Sequence, residues 1–125
     1  MTRVLILVTC LAAFLVSPAR AAPESSANFE TDLSRLAEIL GALHYLRGVC
    51  GANEGQKWRD QMQALIEAEG QPGDRKAKLS ASFNQGYRGF QQTYRTCTPA
   101  ADLAIRRYLT EGAKIAREVT ARYTN

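Results

Sequence analysis

The residues best suited to chemistry in this chain are one histidine, one arginine and two tyrosines. His44 and Arg47 stand three apart in "LHYLRGVC", residues 43–50, and Tyr87 and Tyr94 stand seven apart in "FNQGYRGFQQTYRTC", residues 83–97. Both spacings return to one side of a helix. Gathered together, His44, Arg47, Tyr87 and Tyr94 would make a small polar cluster able to hold an anionic ligand. A plainer alternative stands beside it: Arg47 snorkels past its helix end or bonds carbonyls of the Cys50 turn, while the tyrosines fill a core.

Other chemistries find little purchase. His44 is the single histidine, so a histidine-based metal site is excluded. There is no Gly-x-Ser-x-Gly elbow, and Ser80 and Ser82 fall in an ordinary helical pattern. No spacing among the carboxylates singles out an acid pair of the glycosidase kind. No catalytic residue, metal or cofactor is expected.

The elements that must position these residues follow from helical periodicity. Gly and Pro punctuate the chain at "CGANEG", "EGQPGD" and "TCTPAA", and the segments between have helical length with no strand-like alternation. Helices are expected over about 28–49, 54–69, 75–96 and 99–123. The first carries Phe29, Leu33, Leu36, Leu40 and Leu43 on one stripe. The second opens with Asn53 as cap and Gln56 at its third position and buries Trp58, Met62, Leu65 and Ile66. The fourth opens with Thr98 as cap, Pro99 next and Asp102 in the first turn, a strong start signal. Short links make consecutive helices antiparallel neighbours, giving an all-α, up-down four-helix bundle.

Placed on the third helix at 100° per residue, Phe83, Tyr87, Phe90, Tyr94 and Cys97 fall within one arc of about 80°, with Arg88 and Arg95 opposite. Gly86 borders that arc. A mid-helix glycine costs roughly 1 kcal/mol, so another helix or a ligand is expected to come close there. On the fourth helix Ile105, Tyr108, Leu109, Gly112, Ile115, Ala116, Val119 and Tyr123 form the inner face. Arg106, Arg107, Lys114 and Arg117 share an arc of about 100° on the other side. That face reads as solvated, helped by Arg107–Glu111 and Lys114–Glu118 pairs, or as a contact for an anionic envelope polymer, lipid head groups or an acidic protein.

The first residues, "MTRVLILVTCLAAFLVSPARAA", have the three parts of a secretory signal: Arg3, an apolar run from Val4 to Val16, and Ala19 and Ala21 at the positions a signal peptidase reads. Cleavage after Ala21 is expected, leaving 104 of the 125 residues as one domain, residues 22–125. The apolar run is too short to span a bilayer, which takes roughly 20 residues, so no stable membrane insertion is expected after cleavage. Net charge is +4 for the whole chain, unevenly spread. Glu24 to Glu69 holds four basic and eight acidic residues, and Gly70 onward holds ten basic and four acidic. A nucleic-acid partner is not expected from so modest a charge with no DNA or RNA motif. Cys50 and Cys97 remain after cleavage, and an even count in an exported chain reads as one disulfide. In the up-down topology both cysteines arrive at the same end, which requires the first and third helices to converge there.

The stretches "LHYLRGVCG", "WRDQMQALIEAE", "FNQGYRGFQQTYRTCTPAA" and "RYLTEGAKIAREV" resemble a family of small exported proteins of unknown function found in alphaproteobacteria. The resemblance runs from about Leu36 to Tyr123. It implies a disulfide between Cys50 and Cys97 and a periplasmic location, and it brings no activity, cofactor or catalytic residue. The reading is a non-enzymatic periplasmic helical protein that binds or regulates a cell-envelope component, its partner an envelope protein or an anionic polymer. Two others stand beside it: a small envelope enzyme or cofactor of a peptidoglycan hydrolase, recognisable by a cleft with a carboxylate held close to His44 or a paired carboxylate, and a purely structural exported protein.

Overall fold

A computed structural model describes residues 24–123. The expected signal segment, residues 1–21, lies outside the described residues. The chain forms four α-helices, with no strand among the described residues: α1 (Glu24–Val49), α2 (Lys57–Glu69), α3 (Gly73–Thr93) and α4 (Pro99–Ala121). Their caps explain where they begin and end. Thr98 accepts a hydrogen bond from the Ala101 N–H at 3.1 Å, with Pro99 at the first helical position, so α4 starts where the sequence places it. The expected Asn53 cap of the second helix is not used. Gly55 takes φ +52°, Glu54 is drawn to Arg47 and Trp58, and α2 starts at Lys57 without a side-chain cap.

The third helix also stops short of its expected end. Tyr94 turns extended at φ −120° and ψ 115° after its N–H bonds the Phe90 carbonyl. That turn releases the Tyr94 carbonyl, which accepts from the Tyr45 hydroxyl. It also brings Cys97 back to Cys50, with the Cα atoms 4.7 Å apart in a disulfide. A continuing helix would have carried Cys97 onward along its axis.

The helices alternate in direction, and the disulfide closes one end. At the other end Arg75 of α3 bonds the Glu30 carboxylate of α1 and the carbonyls of Glu69 and Gln71. The Tyr123 hydroxyl donates to Glu69, the one buried carboxylate among the described residues, and Arg122 covers the Phe29 ring at 4.7 Å. Each short link between helices is therefore held by charge or sulfur as well as by packing.

The bundle is not square. Helices α1 and α3, diagonal partners in a square arrangement, are the most closely packed pair, because two glycines let their backbones touch. A Cβ added at Gly41 would lie 1.9 Å from the Phe83 carbonyl oxygen, and one at Gly86 would lie 2.0 Å from that of Glu38. The close approach expected at Gly86 is thus a helix, and Gly41 reciprocates it. α1 packs against α2, α3 and α4, α2 also meets α3, and α2 and α4 do not come together. The central place of α1 explains its burial: Leu33, Ala37, Ile39, Ala42, Leu43 and Leu46 are all at most 2 % exposed, positions that go most of the way round the helix. It also corrects the inner face expected for α4. Ile105, Gly112, Ile115 and Val119 are buried, but Ala116 is exposed, Leu109 is 40 % exposed and Tyr123 is 67 % exposed.

Candidate functional site

The four residues proposed as one polar cluster are divided by the fold. His44 lies with Tyr87, ring centroids 5.5 Å apart, and with Phe83 at 6.0 Å. Its Nε2 accepts a hydrogen bond from the Arg59 guanidinium of α2 at 3.1 Å. Burial, reinforced by that guanidinium, pushes the His44 pKa below its ordinary 6.5 and favours the neutral ring. Tyr94 faces elsewhere, its ring stacked on Phe90 at 6.1 Å.

Arg47 meets neither tyrosine. Its Nε donates to both Glu54 oxygens at 3.1 Å, and its terminal nitrogen donates to the same carboxylate. Glu54 also accepts from the Trp58 indole N–H at 2.7 Å. These donors, Arg47 foremost, hold the Glu54 carboxyl well below the usual range, at about 2. The arginine in mid-stripe is therefore explained by a carboxylate seven residues on, brought back across the turn at Gly51, whose φ is +80°. Sequence reasoning named the carbonyls of that turn as partners and overlooked Glu54.

The basic residues of α4 are likewise spread over separate settings. Arg106 pairs with Asp102, and Lys114 stands 3.9 Å from Glu118. The expected Arg107–Glu111 pair does not form. Glu111 is taken by Arg35 of α1, which donates from Nε at 2.7 Å and from its terminal nitrogen at 2.9 Å, and reaches Glu38 at 3.1 Å. A forked guanidinium matches a carboxylate with two parallel bonds, which Arg107 on the same helix cannot improve upon. Arg107 instead edges a half-polar recess of about 440 Å³ with Tyr94 and Tyr108, and Arg117 borders a small recess with Ala116.

One concavity among the described residues was announced by no motif. Because α3 occupies the opposite side of α1, and α2 and α4 stand apart, a cleft opens between α2 and α4 over the half-buried Leu36 and the buried Leu40 and Leu43 of α1. The resulting cleft has a volume of about 530 Å³, within the roughly 300–1,000 Å³ of small-molecule sites. Trp58 and Leu65 of α2 form one wall, and Tyr108 and Leu109 of α4 form the other. Three of its exposed lining residues are small, Ala64 on α2 and Ala113 and Ala116 on α4, beside the exposed Lys57, Gln61 and Leu109. Small side chains there keep the cleft open. Lys57 is the one charged residue lining it among the described residues.

The family described as protein of unknown function (DUF2385) matches residues 28–123. The chain belongs to that family. No curated protein matches the chain, and no solved structure does. The span matched to the family takes in nearly all of the four helices, both bonded cysteines, the Gly41 and Gly86 contact and every residue that lines the cleft. The match bears out the resemblance to a family without an assigned activity. Among the described residues of this family member, no helix is long and apolar enough to cross a membrane, and no three His, Cys, Asp or Glu side chains group as metal ligands do. A disulfide and the lack of such a helix are both compatible with export.

Proposed function

We propose that this family member acts after export, in the periplasm, as a non-enzymatic binding domain for a cell-envelope component, and that the cleft beside α1 is its binding site. The cleft carries the reading: an apolar concavity of about 530 Å³ between two flanking helices, over the central helix, has the size and lining of a small-molecule site. The N-terminal signal pattern and the Cys50–Cys97 bond support the location. The non-enzymatic part rests on His44, whose bonded neighbour is a guanidinium where general acid–base work would want a carboxylate.

The test is direct. Protein recovered from the periplasmic fraction should begin at Ala22 and should raise the fluorescence of the apolar dye N-phenyl-1-naphthylamine saturably, with one site per chain. Ala113→Phe, which fills the cleft from an exposed lip, should abolish that rise. A dye response that is absent, or indifferent to Ala113→Phe, would remove the cleft from consideration.

A further inference from the structure

We infer that the occupant of the cleft is a single-chain anionic amphiphile, its hydrocarbon tail in the hollow and its head group at Lys57; this rests on the binding reading above and adds the chemistry of the ligand. Three observations carry it. The first is shape. Ile39 at 0 %, Leu43 at 2 % and Trp58 at 9 % exposure lie deep, and Ala64, Ala113, Ala116, Gln61 and Leu109 stand at the exposed edge. A folded partner laid across the cleft would meet Leu109 as the one large apolar side chain exposed among its lining residues. A flexible chain one methylene wide can enter.

The second is capacity. A methylene fills a volume close to the ~30 Å³ share of a water molecule, so about 530 Å³ has room for a tail of a dozen or more carbons. A second tail would be left in water. The third is charge. Lys57 lines the cleft, about half exposed, and its nearest carboxylate, Glu54, is 3.9 Å away and already engaged by Arg47 and Trp58. No carboxylate lines the cleft among the described residues, and Asp60, the acidic residue in the first turn of α2, is not among its lining residues. An anionic head meets attraction at Lys57, and a cationic head meets repulsion.

The chain carries its own reporter, because its single tryptophan is Trp58 in the cleft wall. The disulfide-bonded mature protein is titrated, below micelle concentrations, with chains of twelve carbons brominated near their ends: the carboxylate, a lysophosphatidylglycerol, the neutral alcohol and the primary amine. Bromine quenches indole at contact. The two anionic probes should quench Trp58 saturably, and whichever is tighter identifies a free fatty acid or a phospholipid head as the source. The alcohol should bind at least about threefold more weakly, the scale of one exposed charge pair, and the amine more weakly still. Lys57→Gln should erase the carboxylate's advantage while leaving the alcohol unchanged, and Ala113→Phe should abolish quenching by all four with the fold intact by circular dichroism. Equal binding of carboxylate and alcohol, or indifference to Lys57→Gln, overturns the anionic head group and leaves the cleft as an apolar site. Silence from every probe together with a silent naphthylamine dye overturns the binding reading itself. A concentration-dependent dimer that Ala113→Phe dissolves would give the cleft to a second copy and overturn the amphiphile.

Discussion

Arg47 and Glu54 are a pair whose contribution can be isolated, because each has few other partners. Arg47→Ala leaves Glu54 with the Trp58 N–H and the distant Lys57 ammonium, so it should destabilise the protein by about 1 kcal/mol or more in urea unfolding, below the full worth of a charge-assisted bond because Arg47 is 32 % exposed. Arg88→Ala, on an exposed side chain, should stay within about 0.5 kcal/mol. The same pair sets an acid limit. The Glu54 pKa is lowered from 4.5 to about 2 by folding, so its contribution is complete above pH 4.5 and disappears as pH falls from there towards 2. Glu54→Gln should remove that part of the acid loss. His44 acts in a higher window and in the same direction. Its pKa is lowered from 6.5, so the unfolded chain takes up a proton that the folded ring resists, and stability should decline as pH drops below 6.5 and level off beneath the folded value. His44→Gln should flatten the curve between pH 7.5 and 5.5; an unchanged slope would mean that folding does not lower the His44 pKa. The periodicity of α1 placed both residues on the helix correctly. It did not pair them, since the partner of Arg47 lies across a turn and that of His44 lies on another helix.

Contact between elements turns on two glycines. With Gly41 against the Phe83 carbonyl and Gly86 against that of Glu38, neither position has room for a methyl group without moving backbone. Gly41→Ala or Gly86→Ala should therefore cost about 2 kcal/mol or more by overpacking, exceeding the roughly 1 kcal/mol that alanine gains over glycine in a helix. Gly89→Ala on the same helix, with open space around it, should be neutral or stabilising, which makes it the control for melting temperature. Sequence reading marked Gly86 by its place beside an aromatic arc and passed over Gly41, which sits in a run of small and apolar residues where a glycine attracts no notice. The same geometry decides the exposure of α4. Leu109 and Ala116 belong to its apolar face by spacing, yet they border the cleft, because α3 lies beyond α1 and α2 does not reach α4.

The disulfide works on the whole molecule. It closes a loop across a sequence separation of 47, worth about 4 kcal/mol in the chain-entropy account. A protein in which both cysteines are alanine, or the native chain held in reductant, should lose stability on that scale in urea while retaining helical circular dichroism, because the Gly41 and Gly86 contact lies well inside the helices. Labelling of Cys50 and Cys97 by a thiol reagent without reductant would contradict the bond. By itself the sequence determined the helical class, the start of the strongly capped α4, the alternating directions and the pairing of the cysteines. These follow from local periodicity, capping chemistry and short links, all written within a few turns of chain. Tertiary structure alone decided that α1 is central, that Arg47 belongs to Glu54 and Arg35 to Glu111, and that a cleft opens between α2 and α4. Each of these depends on which faces meet across tens of residues. Two glycines settled that by letting two backbones touch, and the cleft is the space left over when they do.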